Sequence, residues 1–265
     1  MNIFDLNRTG TGTKEWSDYS YNITMGCEHD CLYCYAKGMR ARFDKSMRTP
    51  GRWSKLALNP KSKLGADVGR KGVVMFPTSH DITPEFLKES IITIKNLLRH
   101  NRVLIVSKPH LAVVKELCKE LVDHRGDILF RFTIGSLQAA TCAFWEPGAP
   151  PPSERIKALK HAFDHGFQTS ASIEPMLEDR HGTIALVNTI EPYVTNTIWV
   201  GKMQRIPRKY NSHIKGLAEA AATIKAQQSD PEILQLVQAL RGKPKIRWKD
   251  SIAAIIEKHR VNPQV

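Results

Sequence analysis

Three of the chain's five cysteines, Cys27, Cys31 and Cys34, fall within eight residues, in the run Gly26-Cys27-Glu28-His29-Asp30-Cys31-Leu32-Tyr33-Cys34-Tyr35. Their spacing is C-x3-C-x2-C. Three thiolates on one tight loop can hold three irons of a [4Fe–4S] cluster and leave the fourth iron without a protein ligand. A four-cysteine cluster of the ferredoxin kind carries its last cysteine nearby, whereas Cys118 and Cys142 are remote. A zinc site needs a fourth ligand too, and His29 is at hand. The bland alternative is three incidental thiols, although free cysteines are more often isolated than clustered at ligand spacing. An open iron position is chemically useful, because a substrate or a cofactor can bind it. The odd cysteine total fits a reduced, cytoplasmic setting and a metal site better than a disulfide framework.

The elements that must position this loop alternate between strand and helix. Residues 19–24 are β-prone and end at the cysteines; residues 73–76 are a short apolar run, 103–106 a buried-strand run, 128–134 strand-like, and 168–173 and 197–200 further strands. Between them, Pro84 to Leu98 has helical spacing with Thr83 as N-cap. Leu111 to Val122 reads as an amphipathic helix, and Ser153 to His165 as a helix opened by Ser153 and closed by Gly166. Pro147 to Pro152 is a rigid turn. This is a β/α series of about six units, short of the eight in a closed barrel. After Gly201 the pattern turns basic and then helical, over 216–227, 231–240 and 249–259. The expected organisation is an N-terminal segment (1–17), a partial (β/α)6 TIM-like barrel (18–203) and a C-terminal basic helical extension (204–265).

The C-x3-C-x2-C loop, with aromatic Tyr33 before its last cysteine and directly after the first strand, resembles the signature of the radical S-adenosylmethionine (radical SAM) superfamily. Within it, Asn22 to Ala36, Ser107-Lys108 after a buried strand, and Glu146-Pro147-Gly148-Ala149-Pro150 with Glu154-Arg155-Ile156 are similar to the branch containing spore photoproduct lyase. The resemblance covers about residues 15–200. It implies a radical SAM type of partial barrel. It also implies that Cys27, Cys31 and Cys34 hold a [4Fe–4S] cluster whose open iron binds S-adenosylmethionine. One electron would then release a 5′-deoxyadenosyl radical that takes a hydrogen atom from the substrate. A reductase, flavodoxin or ferredoxin-type protein would supply the electron. The lyase carries a catalytic thiol after its second strand; the corresponding Phe76-Pro77-Thr78-Ser79-His80-Asp81 has none, which departs from photoproduct repair. Cys142, expected in the loop after the fourth strand, is a candidate hydrogen donor or else a small buried side chain.

In the same terms Tyr33, Thr78, Ser79 and His80 face the cofactor, with Asp81 read as a turn residue. Lys108 ends an apolar strand, where sheet sites form, and can meet the cofactor carboxylate or else snorkel at the surface. Ser136 can hydrogen-bond a ribose. Ser172 and Ile173 can line the adenine, and Glu174 can bind ribose, adenine or substrate. Lys202 reads as site-facing and Trp199 as core. Gly10 to Lys14 lacks the spacing of a phosphate loop and no strand precedes it.

Charge offers a hint of the partner. The 265 residues hold 39 Lys+Arg against 26 Asp+Glu, a net +13. Eleven basic residues between Tyr35 and Gly72 face only Asp44 and Asp67. Two more basic stretches are Lys202, Arg205, Arg208, Lys209, Lys215 and Arg241, Lys243, Lys245, Arg247, Lys249. Such clusters can track a nucleic acid or another polyanion, or simply keep a surface solvated. Arg48, Arg52 and Trp53 can stack on a base and contact phosphates, or form a loop over the barrel. No apolar run is long enough for a membrane span, and no membrane partner is expected. A peptide or small metabolite is the rival substrate. A non-catalytic Fe–S or zinc nucleic-acid-binding protein is the rival class.

Overall fold

The structure, a computed structural model, describes residues 4, 11–69, 71–204, 206, 211 and 213–259. Gly10, Arg70, Arg205, Arg208 and Lys209, named above, lie outside the described residues, as do 1–3 and 260–265 at the two ends.

Seven strands form one all-parallel sheet. They are β1 (Tyr19–Ser20), β4 (Val73–Phe76), β5 (Arg102–Ser107), β6 (Ile128–Thr133), β7 (Gln168–Ile173), β8 (Ile198–Val200) and β9 (Ile246–Trp248), paired in that order. A separate antiparallel pair, β2 (Thr24–Met25) with β3 (Ala57–Leu58), carries the cysteine loop. β4 and β6 are buried at every position, the mark of strands covered on both faces. The helices are α1 (Tyr35–Phe43), α2 (Leu87–Leu98), α3 (Leu111–Glu120), α4 (Ala139–Trp145) and α5 (Pro152–Asp164). They continue with α6 (Arg180–Ile190), α7 (Leu217–Gln227), α8 (Asp230–Ala239) and α9 (Asp250–Lys258).

Side-chain alternation sorts the sheet into two faces. Val103 and Ile105 of β5, with Phe130, Ile173 and Ile198, pack under the helices in the main core. Leu104, with Met75 and Leu129, points to the concave face, where Phe4 and Trp16 of the N-terminal segment cover it. On that face Arg131 lies over the Trp16 ring at 4.7 Å and bonds Ser170 Oγ at 3.0 Å, while Trp199 meets Trp16 edge-on at 5.8 Å. The sheet is thus the expected α/β partial barrel, filled from inside by the chain's own N-terminal segment.

Several elements differ from the sequence reading. Residues 19–24 split into β1 and β2, in different sheets, because Asn22 between them turns its amide to the loop after β4. The C-terminal extension is not only helical. Its basic run 243–249 contains β9, which pairs with β8 from Ile198↔Ile246 to Val200↔Trp248. Two of the charges there are paired within the chain, since Lys245 Nζ donates to the carbonyls of Glu191 and Val194, and Lys243 pairs with Glu191. Cys142 lies on helix α4, not in a loop; that helix has no side-chain cap, so the sequence carries little sign of it. The helix expected to open at Ser153 opens at Pro152, with Pro151 in the cap position. Helix α2 is preceded by a 3-10 turn over Pro84–Phe86, and Thr83 makes no capping bond there. Among the described residues, no helix is long and apolar enough to cross a membrane.

Phe130 is fully buried, with Phe132 and Phe167 rings at 5.4 and 5.2 Å. Phe130→Ala is expected to cost about 3–5 kcal/mol, read from the shift of a urea denaturation midpoint. A loss under about 1 kcal/mol would contradict this packing.

Candidate metal centre

The cysteine loop leaves β2 at Gly26, whose φ of +87° suits glycine. A Cβ there would stand 2.7 Å from the carbonyl oxygens of Trp53 and Lys55, and the Cys27 N–H donates to that Trp53 carbonyl at 2.9 Å. Trp53 is therefore buried against Cys27 and Ala36, with its ring turned into the cysteine loop. From the other side, Leu32 N–H donates to Trp145 O and Gly148 N–H to His29 O, so closely that a Cβ on Gly148 would run into the Glu28 carbonyl. Asn211 adds a third brace. Its amide donates to Leu32 O at 2.6 Å and accepts from Lys37 Nζ, which also pairs with Asp30 at 2.8 Å. Cys34 caps α1, its sulfur accepting from the Lys37 N–H.

Burial raises the thiols of Cys27 and Cys34 and pushes Cys31 up to about 12, with Lys108 opposing in each case. Lys108 itself resists deprotonation. Burial works against its charge, but Cys31, Asp81 and Glu146 outweigh that. Tyr33 donates its hydroxyl to Glu146, whose carboxylate pairs with fully buried Arg155 at 2.5 Å; Lys108 sits 5.7 Å from the centre of the Tyr33 ring.

Asp81 is the residue the turn reading misses. Its carboxylate accepts from Ser107 Oγ at 2.9 Å, the Lys108 N–H at 2.6 Å and His29 Nδ1 at 2.8 Å, and Cys27 Sγ lies 3.6 Å away. Burial would raise its pKa, but Lys108 and His29 overcome this and hold it well below the usual carboxylate range. An aspartate following Thr-Ser-His carries no sequence sign of this role.

The other expected site residues fall into three groups. Thr78, Ser79 and His80 stand beside the loop, tied to its approach. Asn22 Oδ1 accepts from the N–H groups of Thr78 and Ser79, and Thr78 O accepts from Tyr35 Oη. Both ring nitrogens of His80 serve the backbone: Nε2 accepts from Ile23 N–H at 3.1 Å and Nδ1 donates to Asp81 O at 3.0 Å. Ser136 donates to Glu178, and Cys142 points its sulfur at Ser136 O while packing with Leu32 and Trp145; burial pushes its thiol up to about 11. On the far strands, Ser172 Oγ is buried with no hydrogen-bond partner among the described residues. Glu174 pairs with Lys249 at 3.6 Å, and Lys249 with Glu15 at 3.0 Å. Lys202 joins a different cavity of about 920 Å³ with α7, α8 and α9, its Nζ 3.8 Å from Asp230.

No family model matches the chain. It is 24% identical over 176 residues to the uncharacterized protein ORF301 of Acidianus two-tailed virus, covering 62% of this chain and 58% of that one. It is 23% identical over 180 residues to the uncharacterized protein MJ0683 of Methanocaldococcus jannaschii, covering 66% of each. Among solved structures it is similar to Streptococcus suis SuiB bound to the precursor peptide SuiA. The TM-score is 0.51 at 12% identity, over 92% of this chain and 47% of SuiB. The chain thus spans about three fifths to two thirds of those curated relatives and about half of SuiB. At that identity the likeness shows the fold, a partial TIM-like sheet of the radical SAM type.

Burial pushes the Glu174 carboxyl up to about 7 against the pull of Lys249, from an ordinary 4.5. The folded state therefore holds an extra proton between about pH 4.5 and 7, and this group's contribution to stability falls as pH rises through that window. Glu174→Gln is expected to gain in melting temperature relative to the parent between pH 5 and pH 8. An unchanged difference across that range would remove Glu174 as the titrating group.

Proposed function

We propose that the chain is a radical SAM enzyme, an assignment carried by the three-cysteine loop lying against the end of a parallel sheet of that fold. Streptococcus suis SuiB is a neighbour in fold alone. The donor set suits a multi-iron cluster. Cys27, Cys31 and Cys34 are free thiols, and among the described residues the three do not together form a group whose ligand atoms all lie within 4.8 Å of one another. A single zinc ion with bonds of about 2.3 Å to sulfur would need thiolates about 3.8 Å apart.

In this reading the three cysteines would hold the cluster, and S-adenosylmethionine would bind its open iron. When bound, the pair supplies one-electron cleavage of the cofactor and hydrogen-atom abstraction. The protein's part is placement and exclusion of water. Lys108 keeps a fixed positive charge beside Cys31, where a carboxylate can be met. Ser172 Oγ is a buried hydroxyl with bonding capacity to spare, and Thr78, Ser79 and Glu174 offer polar groups at neighbouring strand ends. Lys202, ion-paired in another cavity, is better placed for substrate. A reductase or a flavodoxin- or ferredoxin-type donor would deliver the electron. The spore photoproduct lyase branch rests on the wording of residues 22–36 and its accompanying segments.

For the substrate we infer a nucleic acid. Beside the cysteine loop, α1 exposes Tyr35, Met39 and Phe43 at successive turns, and Arg40, Arg42, Lys45, Arg52 and Lys55 are exposed around them. Aromatic faces among cations suit a single strand. A peptide is the second reading, favoured by SuiB having been solved with precursor peptide SuiA.

Anaerobic reconstitution is expected to load about four irons per chain and to support reductive cleavage of S-adenosylmethionine. Cys31→Ala should abolish that cleavage, and its retention would sink the assignment. Affinity for a single-stranded oligonucleotide should fall with salt. The slope of log K against log salt should be shallower by about 0.7 for each phosphate that Arg40→Ala or Arg42→Ala no longer neutralises. Salt-independent binding, or none, would turn the substrate reading to peptide.

A further inference from the structure

Beyond the cysteine cluster, a second set of metal-ligating side chains converges at the outer edge of the same loop. His29 is fully buried, and its Nε2 faces His110 Nε2 at 3.0 Å. Glu28 Oε1 stands 3.4 Å from that same His110 nitrogen. The three ligand atoms lie within 4.8 Å of one another. They come from two places far apart in the chain, the cysteine loop and the residue that opens α3, so sequence spacing gives no sign of them.

We propose that Glu28, His29 and His110 form a mononuclear site for a divalent transition-metal ion, and that its donor set suits zinc. Two imidazole nitrogens and one carboxylate oxygen are the protein ligands of open, catalytic-type zinc sites. Bonds of about 2.0–2.1 Å in tetrahedral geometry place ligand atoms about 3.3 Å apart, close to the 3.0 and 3.4 Å found here. The tautomer is set for coordination. His29 Nδ1 is bonded to the Asp81 carboxylate at 2.8 Å, an acceptor that keeps the ring proton on Nδ1 and leaves the Nε2 lone pair pointing outward. A carboxylate behind a ligating histidine is the usual outer-shell partner of such sites. Without an ion, His110 must donate its Nε2 proton into that lone pair. With one, His110 carries its proton on Nδ1, and no net proton is exchanged. The side chains of His110 and Glu28 are 22% and 32% exposed, so the ion can enter from solvent and keep a fourth position open.

The competing set is Cys27, His29 and Asp81, which would use the other nitrogen of His29. The test uses the full chain with its cluster reconstituted anaerobically, then equilibrated with zinc alone, with iron and zinc counted in the same sample. About one zinc per chain is expected in addition to the iron. The zinc should be lost in His110→Ala and in Glu28→Gln, while Asp81→Asn binds it about 10–100-fold more weakly. Glu28→Gln, at a partly exposed position, decides the matter if His110→Ala melts early. Cobalt in place of zinc should show ligand-field bands without a thiolate charge-transfer band. Zinc that survives both His110→Ala and Glu28→Gln, a thiolate band with cobalt, or no zinc in the parent would each overturn the proposal. Because iron is counted separately, an absent cluster and an absent zinc site are distinguished.

Discussion

A desolvated carboxylate organises this molecule. Asp81 is 11% exposed and must be satisfied within the fold, since an unpaired buried charge costs several kcal/mol. Its partners come from two elements remote in sequence from its own loop after β4: His29 from the cysteine loop, and Ser107 and Lys108 from the end of β5. Satisfying one anion thus fixes where the cysteine loop sits against the sheet. It also places the Lys108 cation beside Cys31. The same bond orients His29 toward His110, so the cysteine loop and the proposed zinc site share one anchor.

A second buried anion works in parallel. Glu146 and Arg155, both without exposure, are paired, and Glu146 also takes the Tyr33 hydroxyl. Arg155 further donates to Pro150 O and Thr133 O, which ties the turn after α4 to the end of β6. The turn that carries Glu146 is the one whose Gly148 lies against Glu28. The Glu-Pro-Gly wording is thereby given a physical reading: the carboxylate pins Tyr33 and the glycine permits close approach to the cysteine loop. On the concave face, Lys249 and Arg131 are held over the rings of Trp16, an arrangement that keeps two cations in the interior by pairing them with carboxylates, hydroxyls and aromatic faces.

β4 and most of β5 are legible as continuous apolar runs because a parallel sheet buries both faces and needs no alternation, and β7 is small and β-prone rather than apolar. β9 is hidden because basic residues punctuate it, and only their carbonyl and carboxylate partners on the α6–β8 connection make them tolerable there. Helices α1, α4 and α6 escape a sequence reading. The first is flanked by cysteine chemistry, the second is short and uncapped, and the third follows a proline-containing turn that reads as loop. The basic stretches divide in the same way. Arg40, Arg42, Lys45, Arg52 and Lys55 around α1 remain on the surface, while Lys37 and Lys249 are buried and paired.

What the sequence by itself determined is the β/α alternation and the cysteine spacing, because both are local patterns of residue type along the chain. What only the tertiary structure decided is which polar residues serve the loop. Asp81, His110, Asn211 and Lys249 act through partners tens to hundreds of residues away. Such pairs are chosen by the need to neutralise or hydrogen-bond a group once it is buried, and burial exists only after the sheet has assembled.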